Sequence, residues 1–281
     1  MPAHQPTVAG RGLGSELRSI REEQRLSSTK VAKQLGWQQS KISKIENGKQ
    51  GITPADVATL LAIYGITGHV RDRLIAKAER ADEPGLVEPR GGLSRESRTL
   101  IQLEVEATSI FNLEPLLVPG LLQTPDYTRA LMKSGGVSDG DTEVRVTTRM
   151  GRQALLSRSD PPMTRFIVDE GVLRRPMLEP RLMARQLRHI IESTERPNVT
   201  IQVLPASLGG HNGLDESFTL LEFPKDRSVV YLDHKISGVF LEEEHEVAFY
   251  NDEVARLKQS ALSPEDSVDL IASIAKSLEH G

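Results

Sequence analysis

A few apolar residues around one glycine restrict the first part of this chain more than any other feature in it. Val31, Ala32 and Leu35 recur at helical spacing, Gly36 follows, and Ile42 and Ile45 take the spacing up again. The pattern predicts two short helices whose apolar faces meet across a tight turn. Gly36 supplies the backbone freedom such a turn needs, and Ala32 is small where the helices cross. This is helix-turn-helix spacing. Leu13, Leu17 and Ile20, then Val57, Leu60, Leu61 and Tyr64, then Val70, Leu74 and Ile75 extend the expectation to five short helices. Ser27 or Ser28 as an N-cap, the Asn47-Gly48 turn, and Thr53 followed by Pro54 mark their ends.

The second helix of the pair lies in GWQQSKISKIENGK, residues 36–49. A helix-turn-helix presents the N-terminal residues of that helix to the major groove, so Gln38, Gln39, Ser40, Lys41, Ser43 and Lys44 are the candidates to reach bases or phosphates. A glutamine amide both donates and accepts toward adenine, and lysine donates to guanine or to a phosphate. Ser28, at the start of the preceding helix, is placed for a phosphate contact. A plain helical hairpin with a wet face also exposes Gln and Lys. What favours a double-stranded DNA operator as partner is the coincidence of core spacing, glycine turn and charge. Residues 1–80 hold 13 Lys and Arg against 7 Asp and Glu, while the rest hold 22 against 32, although the whole chain is only −4. A basic front draws polyanions and an acidic rear resists them.

At 281 residues the chain has room for two domains. Ala81 to Ser94, ADEPGLVEPRGGLS, is rich in Pro and Gly and has no period, which predicts a linker. Beyond it the pattern becomes α+β: helices at about 95–110, 125–133 and 141–157, a strand from Met163, a helix over PRLMARQLRHIIESTE, strands in NVTIQVLP, SFTLLEF and SVVYLDH, and helices at about 243–259 and 264–279. The expectation is one helix-flanked, mainly antiparallel sheet. The chain has no cysteine, which excludes disulfides and thiolate metal sites and suits a reducing compartment. MPAHQPTVAGRGLG lacks the apolar run of a signal peptide, and no stretch approaches the about 18 apolar residues of a membrane span. A cytoplasmic protein without membrane contact is expected.

Residues 13–65 resemble the Xre and Cro-type repressor family, through a pattern running LS, VAKQLGWQQSKISKIENGK, P, LA and YG. The resemblance implies a lambda-repressor-like, all-α five-helix domain over residues 1–82, ahead of a linker at 83–94 and the α+β domain at 95–281. It also implies that Gln38, Gln39, Ser40 and Lys44 are the main base readers, and that Ser28, Ser43, Asn47 and Lys49 mostly touch the DNA backbone. The family often has Gln where this chain has Ser28, which weakens the clamp expected there. Residues 95–278 resemble a C-terminal domain of unknown function that accompanies this helix-turn-helix in actinobacterial regulators, through EPLLVPGLLQTPDYTRALM, RQALL, DEGVLRRP, QLRHIIESTERPNVTIQVLP, FTLLEFP and VVYLD. That likeness implies a transcriptional regulator with an antitoxin-like role, paired with a small protein encoded nearby. It names no small-molecule effector. Because one reading helix covers few base pairs, a homodimer on two half-sites is expected.

Three segments of the larger region are candidate sites. HEVAF at His245 lacks the second histidine of a zinc peptidase, having Phe249 there, so neither a catalytic centre nor a metal site nor a cofactor is expected. LGGHNGLDESF places His211, Asn212, Asp215 and Glu216 on one loop, either a ligand site or a glycine-rich turn. DEGVLRRP offers Asp169, Glu170, Arg174 and Arg175, or merely a strand running into a salt-bridged helix. In LEPLLVPGLLQTPDY two prolines and a glycine prevent a plain helix while the leucines still need burial. Leu117, Pro119, Leu121, Leu122 and Tyr127 therefore either line a groove for an effector or partner segment, or plug the core.

Overall fold

The computed structural model describes residues 8–79, 88–89, 95–233 and 237–280. Five helices form before residue 80: α1 (Val8–Glu23), α2 (Ser28–Leu35), α3 (Gln39–Glu46), α4 (Pro54–Ile63) and α5 (Gly68–Glu79). The Ser27 hydroxyl accepts from the Lys30 N–H and the Thr53 hydroxyl from the Asp56 N–H, each at 3.1 Å, so both caps satisfy amides that a helix start leaves free. Gly36 ends α2 at φ 65°, in the left-handed region that side chains resist.

Leu13, Leu17, Val31, Ala32, Ile42, Ile45, Val57, Leu60, Leu61 and Leu74 share one core. Val70, expected in the apolar stripe of α5, is 42% exposed instead. α1 and α3 nearly touch, since a Cβ at Gly14 would sit 2.2 Å from the Ile45 carbonyl oxygen. Beside this contact Arg21 grips Glu46 through two hydrogen bonds of 2.6 and 2.8 Å and donates a third to the Leu26 carbonyl. Both partners are buried, and the Glu46 contact raises the pKa of Arg21. Removing one partner would strand the other charge, at a cost of about 3–5 kcal/mol.

The remaining described elements are β1 (Glu88–Pro89), α6 (Arg95–Glu106), β2 (Ser109–Glu114), α7 (Pro125–Ser134), α8 (Asp139–Gln153), β3 (Met163–Asp169), α9 (Glu170–Arg174), α10 (Pro180–Ser193), β4 (Val199–Leu204), β5 (Phe218–Glu222), β6 (Val229–Asp233), β7 (Ser237–Leu241), α11 (Glu244–Ser260) and α12 (Pro264–His280). The sheet order is β1-β7-β6-β5-β2-β3-β4. β2, β3 and β4 are parallel, with Phe111 opposite Arg165 and Phe166 opposite Ile201, and the other pairings are antiparallel.

The sheet is therefore mixed: most of its pairings are antiparallel, as expected, and the parallel β2, β3 and β4 are the part that was not foreseen. The cause is β2, which begins where the helix expected at about 95–110 ends and for which the sequence predicts no strand. Ile110 packs into the core on one face of the sheet, while Phe111 and Leu113 pack into the core on the other. A strand covered on both faces reads as a continuous apolar run without alternation. Without β2, nothing showed that β3 and β4 follow it as parallel strands joined by helical crossovers. β7 was also missed; its Gly238 leaves room for the Tyr231 ring, which a Cβ there would meet at 2.6 Å.

α10 and α12 bury Met183, Leu187, Ile190, Ile271 and Ile274 in the core on one face, and α11 covers the other with Tyr250, Val254 and Leu257. Of the predicted linker, only Glu88 and Pro89 lie within the described residues, and they pair with Gly238 and Ser237 of β7. Among the described residues no helix is long and apolar enough to cross a membrane.

α1 also meets the larger region. A Cβ at Gly12 would lie 3.2 Å from the Thr99 hydroxyl of α6, and Gln102 donates to the Ser15 hydroxyl. The Arg11 guanidinium lies 4.9 Å from the centre of the Phe223 ring, with Glu106 and Asp226 carboxylates both 3.9 Å away.

Candidate nucleic-acid interface

The turn after α2 aims the start of α3 outward. Gln38 occupies the cap position with extended backbone, φ −76° and ψ 140°, yet its side chain caps nothing. Gln38, Gln39, Ser40, Lys44, Asn47 and Lys49 are exposed, with Ser28, Lys41 and Ser43 partly so, while Ile42 and Ile45 face inward. The amides and cations picked out in the sequence thus share the outer side of one short helix and its flanks.

They are not equally available. Gln39 Nε2 donates to the Ser28 hydroxyl at 3.2 Å, which joins the starts of α2 and α3. Lys41 is committed inside the protein. Its Nζ is 3.1 Å from Asp56 and 3.6 Å from the centre of the Trp37 ring. Asn47 turns back to donate to the Ser43 carbonyl at 2.8 Å. Among the described residues Lys44 and Lys49 have no carboxylate within 4.0 Å and keep their donors for solvent or a phosphate. Sequence reasoning missed Trp37 and Asp56; the spacing of Trp37 four residues before Lys41 was the signal that could have found the stacking.

In the larger region two separately noted motifs meet. His211 Nε2 lies 3.2 Å from Asp169 Oδ2, and its Nδ1 accepts from the Gly213 N–H at 3.2 Å. With Nδ1 accepting, Nε2 carries the proton and donates to Asp169, so both ring nitrogens are engaged. Asp169 Oδ1 in turn accepts from the Gly171 N–H at 2.7 Å, capping α9. Glu170 takes Arg174 at 2.7 Å and the Ala206 N–H at 2.8 Å; the Ala206 contact is the main reason its pKa is lowered. Asn212 donates to Glu253, and Tyr250 to Glu216. This is a braced loop, as in the plainer readings of both motifs, and it leaves His211 no free nitrogen for a ligand. His245 and Phe249 stand exposed on α11, and among the described residues no group of three or more acidic or histidine side chains could hold a metal.

Residues 97–273 match the family model described as Domain of unknown function (DUF5753), and residues 13–74 match one described as Helix-turn-helix domain. The first match alone takes in more than half of the chain. This chain belongs to the DUF5753 family. No curated protein matches it. Among solved structures it is similar to TrmBL2, an archaeal chromatin protein described as showing a novel mode of DNA binding. The identity is 13%, covering 75% of this chain and 70% of that one, with a TM-score of 0.34.

Within the DUF5753 part, the segment read as either a groove or a plug buries most of its named residues in the core. Leu121, Leu122 and Tyr127 are at most 5% exposed, Pro119 is buried and Leu117 half-buried. A loop inside a core must find partners for its backbone groups. Gln123 donates to the Val118 carbonyl and Gln186 to that of Leu122, both at 2.7 Å; Gln186 also accepts from the Thr124 N–H, and Tyr127 Oη accepts from the Val118 N–H. Gln123 and Gln186 were missed in the sequence, where a buried glutamine looks like any other. Beside the plug, burial lifts the pKa of Glu114, at the end of β2, to about 7. Its contact with Asn112 is long, at 3.5 Å, and Arg149 nearby is itself held down to about 10, chiefly by burial.

Proposed function

We propose that the chain is a sequence-specific DNA-binding transcriptional regulator that reads the major groove through Gln38, Gln39, Ser40 and Lys44 of α3 and its cap. Ser28, Ser43, Asn47 and Lys49 border that surface and position it on the phosphates. The observation that carries the reading is that these groups stand exposed on a helix-turn-helix frame, with the Gln38 amide spent on no cap of its own helix.

It acts as a homodimer in the cytoplasm, because two half-sites about 34 Å apart supply the selectivity that a single helix lacks. The region from 95 onward holds two readers together and senses an effector or binds a partner, and it catalyses nothing.

Selection of random duplexes by the purified full-length chain tests the proposal. The expected product is one enriched sequence made of two related half-sites about one helical turn apart. Recovery of unenriched DNA would contradict it.

A further inference from the structure

α10 carries Arg181, Arg185 and Arg188 at spacings of four and three residues, hence along one stripe of its outer face. α12 packs beside it, and two concavities of about 380 and 400 Å³ lie between the helices, with Glu279 common to both. The two halves differ in chemistry. One has an apolar floor of Ile191, Ala272 and Ala275, with Arg188 and Lys276 at its rim. The other is lined by Arg181, Arg185 and Glu279.

Four cations thus gather around Glu279, with Asp126 beside one of them, in a part of the chain where acidic residues outnumber basic ones, 32 against 22 beyond residue 80. Arg188 holds Glu279 at 2.6 Å. Arg185 has only Asp126, at 3.8 Å. Among the described residues Arg181 and Lys276 have no carboxylate within 4.0 Å. Two carboxylates do not balance four gathered cations, and an anion between them lowers the remaining repulsion. The guanidinium fork matches phosphate geometry.

We propose that this groove binds a nucleoside phosphate, with the phosphate between Arg181 and Arg185, the sugar hydroxyls donating to Glu279, and the base over Ile191, Ala272 and Ala275. An open groove with one cationic and one apolar half suits such a ligand better than a polymer backbone does. This site is separate from the α3 surface and does not depend on how that surface is used.

Calorimetric titration of the full chain, without DNA, tests the proposal, with adenosine monophosphate, inorganic phosphate and adenosine as probes. Adenosine monophosphate is expected to bind at least tenfold tighter than either of the others. Arg181→Ala with Arg185→Ala should weaken it at least tenfold, with the circular dichroism spectrum unchanged because both side chains are exposed. Ala272→Leu, at an exposed position, should fill the apolar half and weaken adenosine monophosphate while leaving inorganic phosphate unaffected. Equal affinity for adenosine monophosphate and inorganic phosphate, or no effect of Ala272→Leu, would reduce the groove to a basic patch and overturn the proposal. So would adenosine monophosphate failing to bind through the millimolar range, or loss of duplex DNA binding in the Arg181 and Arg185 variant, which would give this face to DNA.

Discussion

Gln39 Nε2 rests on the Ser28 hydroxyl at 3.2 Å, so the residue that opens α2 orients the one that opens α3. One amide hydrogen is held by the protein, and the other, with Oε1, remains for an adenine edge. Ser28→Ala should leave the fold intact, since Ser27 and not Ser28 caps α2. It should weaken binding to the selected sequence several-fold, as expected for about 1 kcal/mol of lost pre-orientation on top of a phosphate contact, and weaken binding to random duplex less, through the phosphate contact alone. Fluorescence anisotropy on both duplexes reads the difference.

The lysines divide by what they already touch. Lys49→Gln should weaken binding on every sequence and Lys44→Gln most on the selected one, and each should lower the slope of log affinity against log salt by about one. Lys41→Gln should leave that slope alone, because Asp56 and Trp37 already hold the ammonium. Its effect should fall on folding, at about 1 kcal/mol for a partly exposed ion pair with a cation–π contact. A slope lowered by Lys41→Gln would mean that DNA draws this side chain away from its partners.

Glu114 makes stability depend on pH. Its carboxyl is lifted from 4.5 to about 7 by burial, so the folded protein binds more protons than the unfolded chain between those values. Stability therefore falls as pH rises through that window, and what is lost is fully present below about 4.5. Glu114→Gln should raise stability in urea unfolding at pH 8 by on the order of 2 kcal/mol, and change it little at pH 4. A variant less stable than the parent at pH 8 would show that the Glu114 charge is paired, with Arg149 the nearest candidate.

The helical core from Leu13 to Ala78 closes on itself, whereas Arg11 buries its guanidinium against Glu106, Asp226 and Phe223 of the larger region. A fragment ending near Asp82 should therefore fold and keep its choice of sequence, but bind DNA much more weakly for want of a dimer. Fusion to an unrelated dimeriser should restore affinity. Full affinity in the bare fragment would leave effector or partner binding as the sole role of residues 95–281.

The elements best foretold by the sequence were those with one wet face. Val31, Ala32, Ile42 and Ile45 show their helices because the intervening residues are polar, and α10 through α12 keep the same contrast. β2 lies between two covered faces and offers no contrast, so the sheet's parallel half was hidden with it. At the candidate interface, residue types were legible and commitments were not. That Gln39 leans on Ser28, or that Lys41 is taken by Asp56, depends on side chains brought together across a turn or from another helix. His211 and Asp169 are 42 residues apart and join two motifs that the sequence kept separate.

The central claim is that the amides at 38 and 39 read bases, and it is tested most directly by the affinity ratio between the selected duplex and a scrambled one, measured for the parent chain and for Gln38→Ala with Gln39→Ala. Each bidentate amide contact discriminates by about 1–3 kcal/mol, so the double variant should lose on the order of tenfold or more on the selected duplex and almost nothing on the scrambled one. An equal loss on both duplexes, or none on either, would contradict base reading by α3.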